Sequence, residues 1–158
     1  MFRQMRRMRQ EVPYEKCQEI LKDGNRAVLS VIGDDGYPYG IPVNFSYNEE
    51  ENCIYLHGAK KGHKIDAIKN CNKVCFTTWD EGYKVPGDWA WYVTSVVAMG
   101  RAELVEDPEV VLKEIRKLGL KYFPSEQEVE DEIKSSLSAV QMIAIHIEHM
   151  TGKLVHEK

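Results

Sequence analysis

The chain has 158 residues, 43% of them hydrophobic, and a formal net charge of -4. This length predicts one domain over residues 1–158 with a sizeable core. The acidic balance argues against a partner that is nucleic acid or an anionic membrane. No apolar run approaches the roughly 20 residues that cross a bilayer, and the basic start of the chain has no apolar stretch behind it.

The four cysteines, at positions 17, 53, 71 and 75, are too few for a disulfide scaffold and form no C-x-x-C motif. We interpret them as reduced thiols and expect a cytoplasmic protein. Cys71 and Cys75 fit no common zinc spacing, and His146 and His149 point to opposite faces of a predicted strand. We therefore expect no metal site.

The first third of the chain predicts a basic arm, a helix and a β-hairpin. Residues 1–11 carry four arginines and are most simply a solvated terminus. A helix is expected from Pro13 to about Lys22. Strands at 27–32 and 37–47 then flank the hairpin signal Gly-Asp-Asp-Gly at 33–36. Pro38 and Pro42 indicate an edge strand, whose unpaired backbone groups a ligand could use.

Residues 54–74 are the most informative stretch. In the strand that opens it, Ile54 and Leu56 alternate with Tyr55 and His57, and we expect Gly58 to end this strand. A basic loop at 60–64 leads into a short helix whose inner face carries apolar residues three apart. Cations in the first turn of a helix are unfavourable unless an anion binds among them. This pattern predicts a phosphate site, although a solvated basic loop is an equally simple interpretation.

The remaining segments predict three strands and two helices. The strands are expected at 73–79, 89–105 and 139–150, the last of them buried on both sides. The helices are expected at about 109–120 and from Ser125 onward. Sequential strands joined by tight turns favour the α+β class, mainly β, with an antiparallel six-stranded barrel and peripheral helices.

Five segments together resemble the pyridoxamine 5'-phosphate oxidase-like, FMN-binding split-barrel superfamily, and within it the nitroimidazole-reductase-like branch. They are MRRMRQ at 5–10, DDGYPYGIPVNFSY at 34–47, IYLHGAKKGHKIDAIKNCNKVCF at 54–76, SVVAMGRAELVED at 95–107 and TGK at 151–153. The resemblance covers nearly the whole chain. It implies a split barrel, bound FMN and a homodimer with a flavin at each of two interface sites.

The same resemblance implies which residues bind the cofactor. The flavin phosphate would lie on His63 and Lys64, with Lys61 as an additional contact. The flavin ring would lie along a strand and touch two further segments; these residues are Pro42, Val43, Asn44, Leu56, His57, Ser95 and Val96.

Two departures from the oxidase limit the resemblance. The oxidase holds its substrate phosphate with an arginine and a histidine near its C-terminus, whereas this chain has no arginine after Arg116. This argues against vitamin oxidation. The oxidase also has an arginine in its phosphate loop where this chain has His63, which weakens the expected grip on the phosphate.

The leading functional prediction is an FMN-dependent oxidoreductase that passes electrons from a donor such as a reduced nicotinamide to a small, for example nitroimidazole-like, substrate. His57 is the candidate catalytic residue, as a substrate contact or proton donor; the simpler alternative is a structural hydrogen bond. Two other classes stay open. One is a flavin- or haem-binding protein without turnover, and the other is a dimeric barrel with an empty pocket.

Overall fold

A computed structural model describes residues 1–156 of the chain. Its strands are β1 (Glu11–Val12), β2 (Ala27–Ile32), β3 (Pro38–Val43), β4 (Ser46–Asn48), β5 (Cys53–Ala59), β6 (Lys73–Trp79), β7 (Tyr83–Lys84), β8 (Trp91–Val105) and β9 (Val140–Val155). Its α-helices are α1 (Tyr14–Asp23), α2 (His63–Asn70), α3 (Pro108–Tyr122) and α4 (Glu126–Ser136). Short 3-10 turns lie at 8–10, 34–36 and 137–139.

The predicted α+β class and antiparallel split barrel are confirmed, but the count of six strands is wrong. Nine strands occur in the described part of the chain, and their hydrogen bonding does not close into a full barrel. The six longest correspond to the predicted six. β1, β4 and β7 have only two or three residues each, too short to show a sequence period.

Two boundaries differ from the sequence predictions. Residues 37–47 form two strands rather than one, because the backbone N–H and C=O of Phe45 both hydrogen-bond the Tyr122 hydroxyl, each at 3.0 Å. Phe45 is fully buried, so the chain turns inward at this point. Gly58 does not end β5, because the β5–β9 ladder continues through Gly58 opposite Gln141 to Ala59.

The sheet order is β3-β2-β6-β8-β9-β5-β4, with every pairing antiparallel. β3 and β4 are the two ends of this path, yet they are consecutive in the chain and only Asn44 and Phe45 separate them. We call this break in the barrel the seam. As the two prolines predicted, β3 is an edge strand, so one of its edges is free for a ligand.

The alternation in β5 sorts its side chains between two cores. Ile54 and Leu56 point into the barrel core, whereas Cys53 and Tyr55 pack with residues of α3 on the outer face. His57 continues the outer series. β9 is buried on both faces over residues 142–145, as its continuous apolar run predicts.

Helices α3 and α4 cover this outer face near the seam. They approach closely at Gly119, where an added Cβ would come within 2.8 Å of Val129 Cγ1. Earlier in α3, the buried Glu114 carboxylate accepts hydrogen bonds from Lys117 at 3.1 Å and from Asn48 at 3.5 Å. The bond from Asn48 joins α3 to β4, the strand beside β5.

The basic arm lies along β9 rather than extending into solvent. Its last residues form β1, which pairs with β9, and Phe2 stacks on His149 with ring centroids 4.6 Å apart. No helix within residues 1–156 has both the length and the apolar character needed to cross a membrane.

Candidate functional site

The first turn of α2 is built without a side-chain cap. Its N-cap is Gly62, whose φ of 124° lies in a region that side-chain-bearing residues rarely adopt. His63 and Lys64 follow directly, and the first acid is Asp66. The exposed N–H groups at this turn are therefore available to an anion.

The His63 ring lies between the hairpin turn and β3. It stacks on Tyr39 with centroids 4.2 Å apart, and the Asp34 backbone N–H points to its Nε2 at 3.4 Å. An added Cβ at Gly33 would meet the same Nε2 at 3.0 Å. His63 thus joins α2 to the hairpin, a role that the sequence did not indicate.

The Lys64 ammonium extends back over β5. An added Cβ at Gly58 would lie 2.8 Å from Nζ, so the absence of a side chain there leaves room for the cation. Burial lowers the pKa of Lys64 below its ordinary value. A bound anion would offset this cost of desolvating the charge.

An open cleft of about 410 Å³ lies between the α2 start, the free end of β3 and the end of β5. This volume is within the usual range of cofactor sites, about 300–1,000 Å³. Its walls comprise two cations, two other polar residues and two apolar ones: Arg26, Lys64, Asn44, His57, Pro42 and Val43. Within residues 1–156, none of the four polar side chains has a hydrogen-bond or ion-pair partner.

His57 stands on the outer face of β5 and lines this cleft. Burial and the nearby charge of Lys64 lower the pKa of its imidazole. The structural alternative, a hydrogen bond that locks the ring, is not observed among the described residues. A neutral imidazole with free ring nitrogens is therefore available to a ligand.

The structure brings together only part of the predicted site. Pro42, Val43, Asn44, His57 and Lys64 line one cleft, as described above. The other predicted positions do not line that cleft in a single chain: Leu56 and Val96 have fully buried side chains, Ser95 lies beside Val96 in β8, His63 holds the hairpin, and Lys61 is exposed in the preceding loop.

Arg26 is the cleft residue that the sequence did not reveal. It precedes β2 and has no local motif around it. The hairpin register is the signal that could have found it, because counting outward from Ile32 opposite Pro38 places residue 26 opposite residue 44. Arg26 and Asn44 therefore both lie at the seam.

The C-terminal end of α3 secures the seam. The single hydroxyl proton of Tyr122 is shared between Asn25 O at 2.6 Å and Phe45 O at 3.0 Å, while its oxygen accepts from the Phe45 N–H. The neighbouring Lys121 ammonium donates to Gly24 O and lies 4.4 Å from the Phe45 ring centroid. These contacts hold both chain segments that flank the cleft.

The lowered pKa of Lys121 predicts how the free energy of unfolding depends on pH. Burial lowers its pKa from about 10.5 to about 8. Between these values the unfolded chain binds one more proton than the folded chain, so this group makes the free energy of unfolding rise with pH. Lys121→Met should remove that rise. Urea denaturation of both proteins from pH 7 to 10 measures it; parallel curves would contradict the assignment.

Exposed aromatic side chains form a separate feature on residues 79–91. Trp79, Trp89 and Trp91 are 50%, 69% and 55% exposed. They are therefore not core residues of this chain, and they present large apolar rings at its surface. Within residues 1–156 no group of three or more His, Cys, Asp or Glu side chains is placed to hold a metal.

The fold is shared with solved structures of low sequence identity. A candidate 5-nitroimidazole antibiotic resistance protein from Bacteroides thetaiotaomicron is 21% identical, with a TM-score of 0.76 over 92% of this chain and 87% of that one. An FAD-binding protein from Mesorhizobium loti is 19% identical, with a TM-score of 0.64 over 92% and 96%. A flavocytochrome from Azotobacter vinelandii is 20% identical, with a TM-score of 0.73 over 96% and 72%.

A comparison with curated proteins gives no significant match. The family model described as pyridoxamine 5'-phosphate oxidase matches residues 13–154, which includes every element from α1 to the end of β9 except its last residue. The chain therefore belongs to the pyridoxamine 5'-phosphate oxidase family of flavin-binding split barrels.

Proposed function

We propose that this protein binds FMN in the cleft at the seam and acts as a flavin-dependent oxidoreductase. The observation that carries the proposal is the convergence of four unpartnered polar side chains, two of them cationic, on one cofactor-sized cleft. The unpaired and partly buried Lys64 ammonium is unfavourable unless an anion binds beside it. A flavin mononucleotide supplies both the anion and a ring for the free edge of β3.

Different residues of the cleft would bind different parts of the flavin. Lys64 and the backbone N–H groups at the start of α2 would bind the phosphate. The free edge of β3 around Pro42 would hydrogen-bond the polar edge of the ring. Arg26 adds positive charge on the far side of the cleft, where it would stabilise negative charge on the ring or on a substrate.

When bound, the flavin supplies the electron transfer, and the protein supplies binding, orientation and electrostatics. His57 would contact the substrate or deliver a proton to it. We propose a reduced nicotinamide as electron donor and a small, for example nitroimidazole-like, compound as acceptor. The name of the Bacteroides thetaiotaomicron relative supports the acceptor. The free thiols of the four cysteines suit a reducing compartment, and we assign the activity to the cytoplasm.

The decisive test identifies the cofactor and then looks for turnover. The purified protein should show flavin absorbance, and mass spectrometry of the released ligand should give FMN rather than FAD or haem. Oxidation of reduced nicotinamide in the presence of an acceptor should follow. Flavin without turnover would favour a binding protein, and a colourless protein that takes up no added flavin would exclude both functions.

We also propose that the protein is a homodimer whose interface includes the three exposed tryptophans. Aromatic residues are enriched at interface centres, and three half-exposed tryptophans are unfavourable on a free surface. Light scattering should return about twice the chain mass of 18.2 kDa. Trp89→Ser combined with Trp91→Ser should shift the mass toward the monomer, while Leu120→Ser, at an exposed position on α3, should not. A monomeric parent protein at micromolar concentration would refute the proposal.

A further inference from the structure

A second cavity lies between the helix pair α3–α4 and the outer face of the sheet. Its volume is about 150 Å³. Its walls are mainly aliphatic and aromatic side chains from three elements, including Ile115, Leu118, Tyr122, Val129, Ile133 and Val140. The cavity is partly open to solvent, and its apolar walls lack the contacts that a bound apolar group would supply. An apolar cavity of about 150 Å³ is also large enough to hold a benzene ring.

This cavity meets the open cleft at two residues. Asn44 and His57 line both spaces, so they form the boundary between them. As shown above, neither side chain has a partner among the described residues. An amide and a neutral imidazole can each donate or accept a hydrogen bond, so a ring in the cavity could carry one polar substituent toward the boundary.

The charges differ sharply between the two spaces. Arg26 and Lys64 line the cleft, whereas neither lines the inner cavity. Glu132 on α4 is the only Asp, Glu, Lys or Arg among the cavity's described lining residues. An anion in the cavity would lose part of its hydration without gaining a cation. The inner cavity therefore selects uncharged ligands, while the cleft selects anions.

We propose that the cavity under α3 and α4 binds an uncharged, single-ring aromatic compound, with its polar substituent directed to Asn44 and His57. Binding of the ring depends only on the cavity. The role of the occupant as electron acceptor rests on the proposed function, because the boundary residues would lie beside the flavin.

Methyl-resolved NMR of the full chain tests the binding directly. The probes are benzyl alcohol and benzoate, which share a ring and differ in charge. Benzyl alcohol should shift the methyl signals of Ile115, Leu118 and Ile133 saturably, and leave the exposed Ile32 unchanged. Benzoate should bind at least about tenfold more weakly, because its charge must be desolvated. Absence of saturable shifts, or equal binding of both probes, would overturn the proposal.

A matched pair of variants locates the site. Leu137 lines the cavity, whereas Leu120 is exposed on α3 and does not. Leu137→Phe fills the cavity and should weaken benzyl alcohol binding about tenfold or more, while Leu120→Phe should change it less than about twofold. If Leu137→Phe loses signal dispersion, Ile115→Phe replaces it. Undiminished binding in a folded cavity variant would refute the site.

The titrations are run with and without added FMN to separate the two proposals. If the protein binds the ring but takes up no FMN, this inference stands and the proposed function is wrong. If the protein takes up FMN but does not bind the ring, the proposed function stands and this inference is wrong. When both bind, benzyl alcohol should shift the flavin absorbance spectrum in the parent protein and not in Leu137→Phe; an equal spectral shift in both would place the probe outside the cavity.

Discussion

Lys64→Met should weaken FMN binding by about 1–3 kcal/mol, or roughly five- to 150-fold, because it removes a charge-assisted partner of the phosphate. The Lys64 ammonium is partly buried, lacks an ion-pair partner within residues 1–156, and has a lowered pKa. Replacing Lys64 should therefore change the stability of the free protein little and weaken its complex with FMN strongly. Fluorescence titration of flavin-free protein measures the affinity.

Riboflavin and a second lysine supply the controls. Riboflavin lacks the phosphate, so Lys64→Met should change its affinity little. Lys69→Met, in the last turn of the same helix, should leave FMN affinity unchanged because Lys69 is exposed and far from the helix start. Equal losses for FMN and riboflavin would mean that Lys64 contacts the ring or maintains the fold.

Gly58→Ala gives an independent test of the same geometry. The new methyl group would occupy space within 2.8 Å of the Lys64 Nζ, so the flexible end of the lysine must move. We expect a selective loss of FMN over riboflavin, smaller than that of Lys64→Met. Unchanged affinity would show that the ammonium position in the flavin complex differs from the one described here.

The predictions from the sequence were most accurate for features that lie within a single helix or strand. The helix predicted after the basic loop at 60–64 begins at His63, and two prolines correctly predicted that β3 is an edge strand. The alternation of Ile54 and Leu56 with Tyr55 and His57 placed His57 on the outer face of β5, where the structure has it. Each of these features depends on a period or terminus that a short segment contains by itself.

Features that need two distant segments were missed. Arg26 reaches the cleft only because the hairpin register sets it opposite Asn44, and the seam exists because Tyr122 takes the backbone bonds of Phe45. The inner cavity depends on how closely α4 approaches α3 at Gly119. Contacts between separate elements leave no periodic signal in the sequence.

His63 shows why a residue role that is taken from a family resemblance has to be compared with the contacts in the structure. The family resemblance assigns this position to the phosphate, and the uncapped helix start agrees. The ring is nevertheless stacked on Tyr39 and joined to the Asp34 backbone, so it also holds the hairpin against α2. Substituting His63 would disturb both the hairpin and the helix start, whereas substituting Lys64 tests the proposed phosphate site without disturbing the hairpin contacts.

His57→Gln should lower turnover about 100-fold while leaving FMN affinity within about twofold of the parent, because a positioned proton donor contributes roughly that factor. Glutamine keeps a polar side chain at the boundary between cleft and cavity but cannot exchange a proton near neutral pH. His146→Gln is the matched control, since His146 is exposed and pairs with Glu103 at 2.7 Å. It should retain parental kinetics.

The pH profile separates proton delivery from simple contact. Burial and Lys64 lower the pKa of His57 below its ordinary value near 6.5. If the protonated ring is the donor, turnover rises as the pH falls toward that pKa and declines above it, and His57→Gln flattens this rise. Steady-state kinetics from about pH 5.5 to 8 at full flavin occupancy measure the profile. A variant with lower turnover and an unchanged pH profile would make His57 a substrate contact, and a variant with parental turnover would remove it from the reaction.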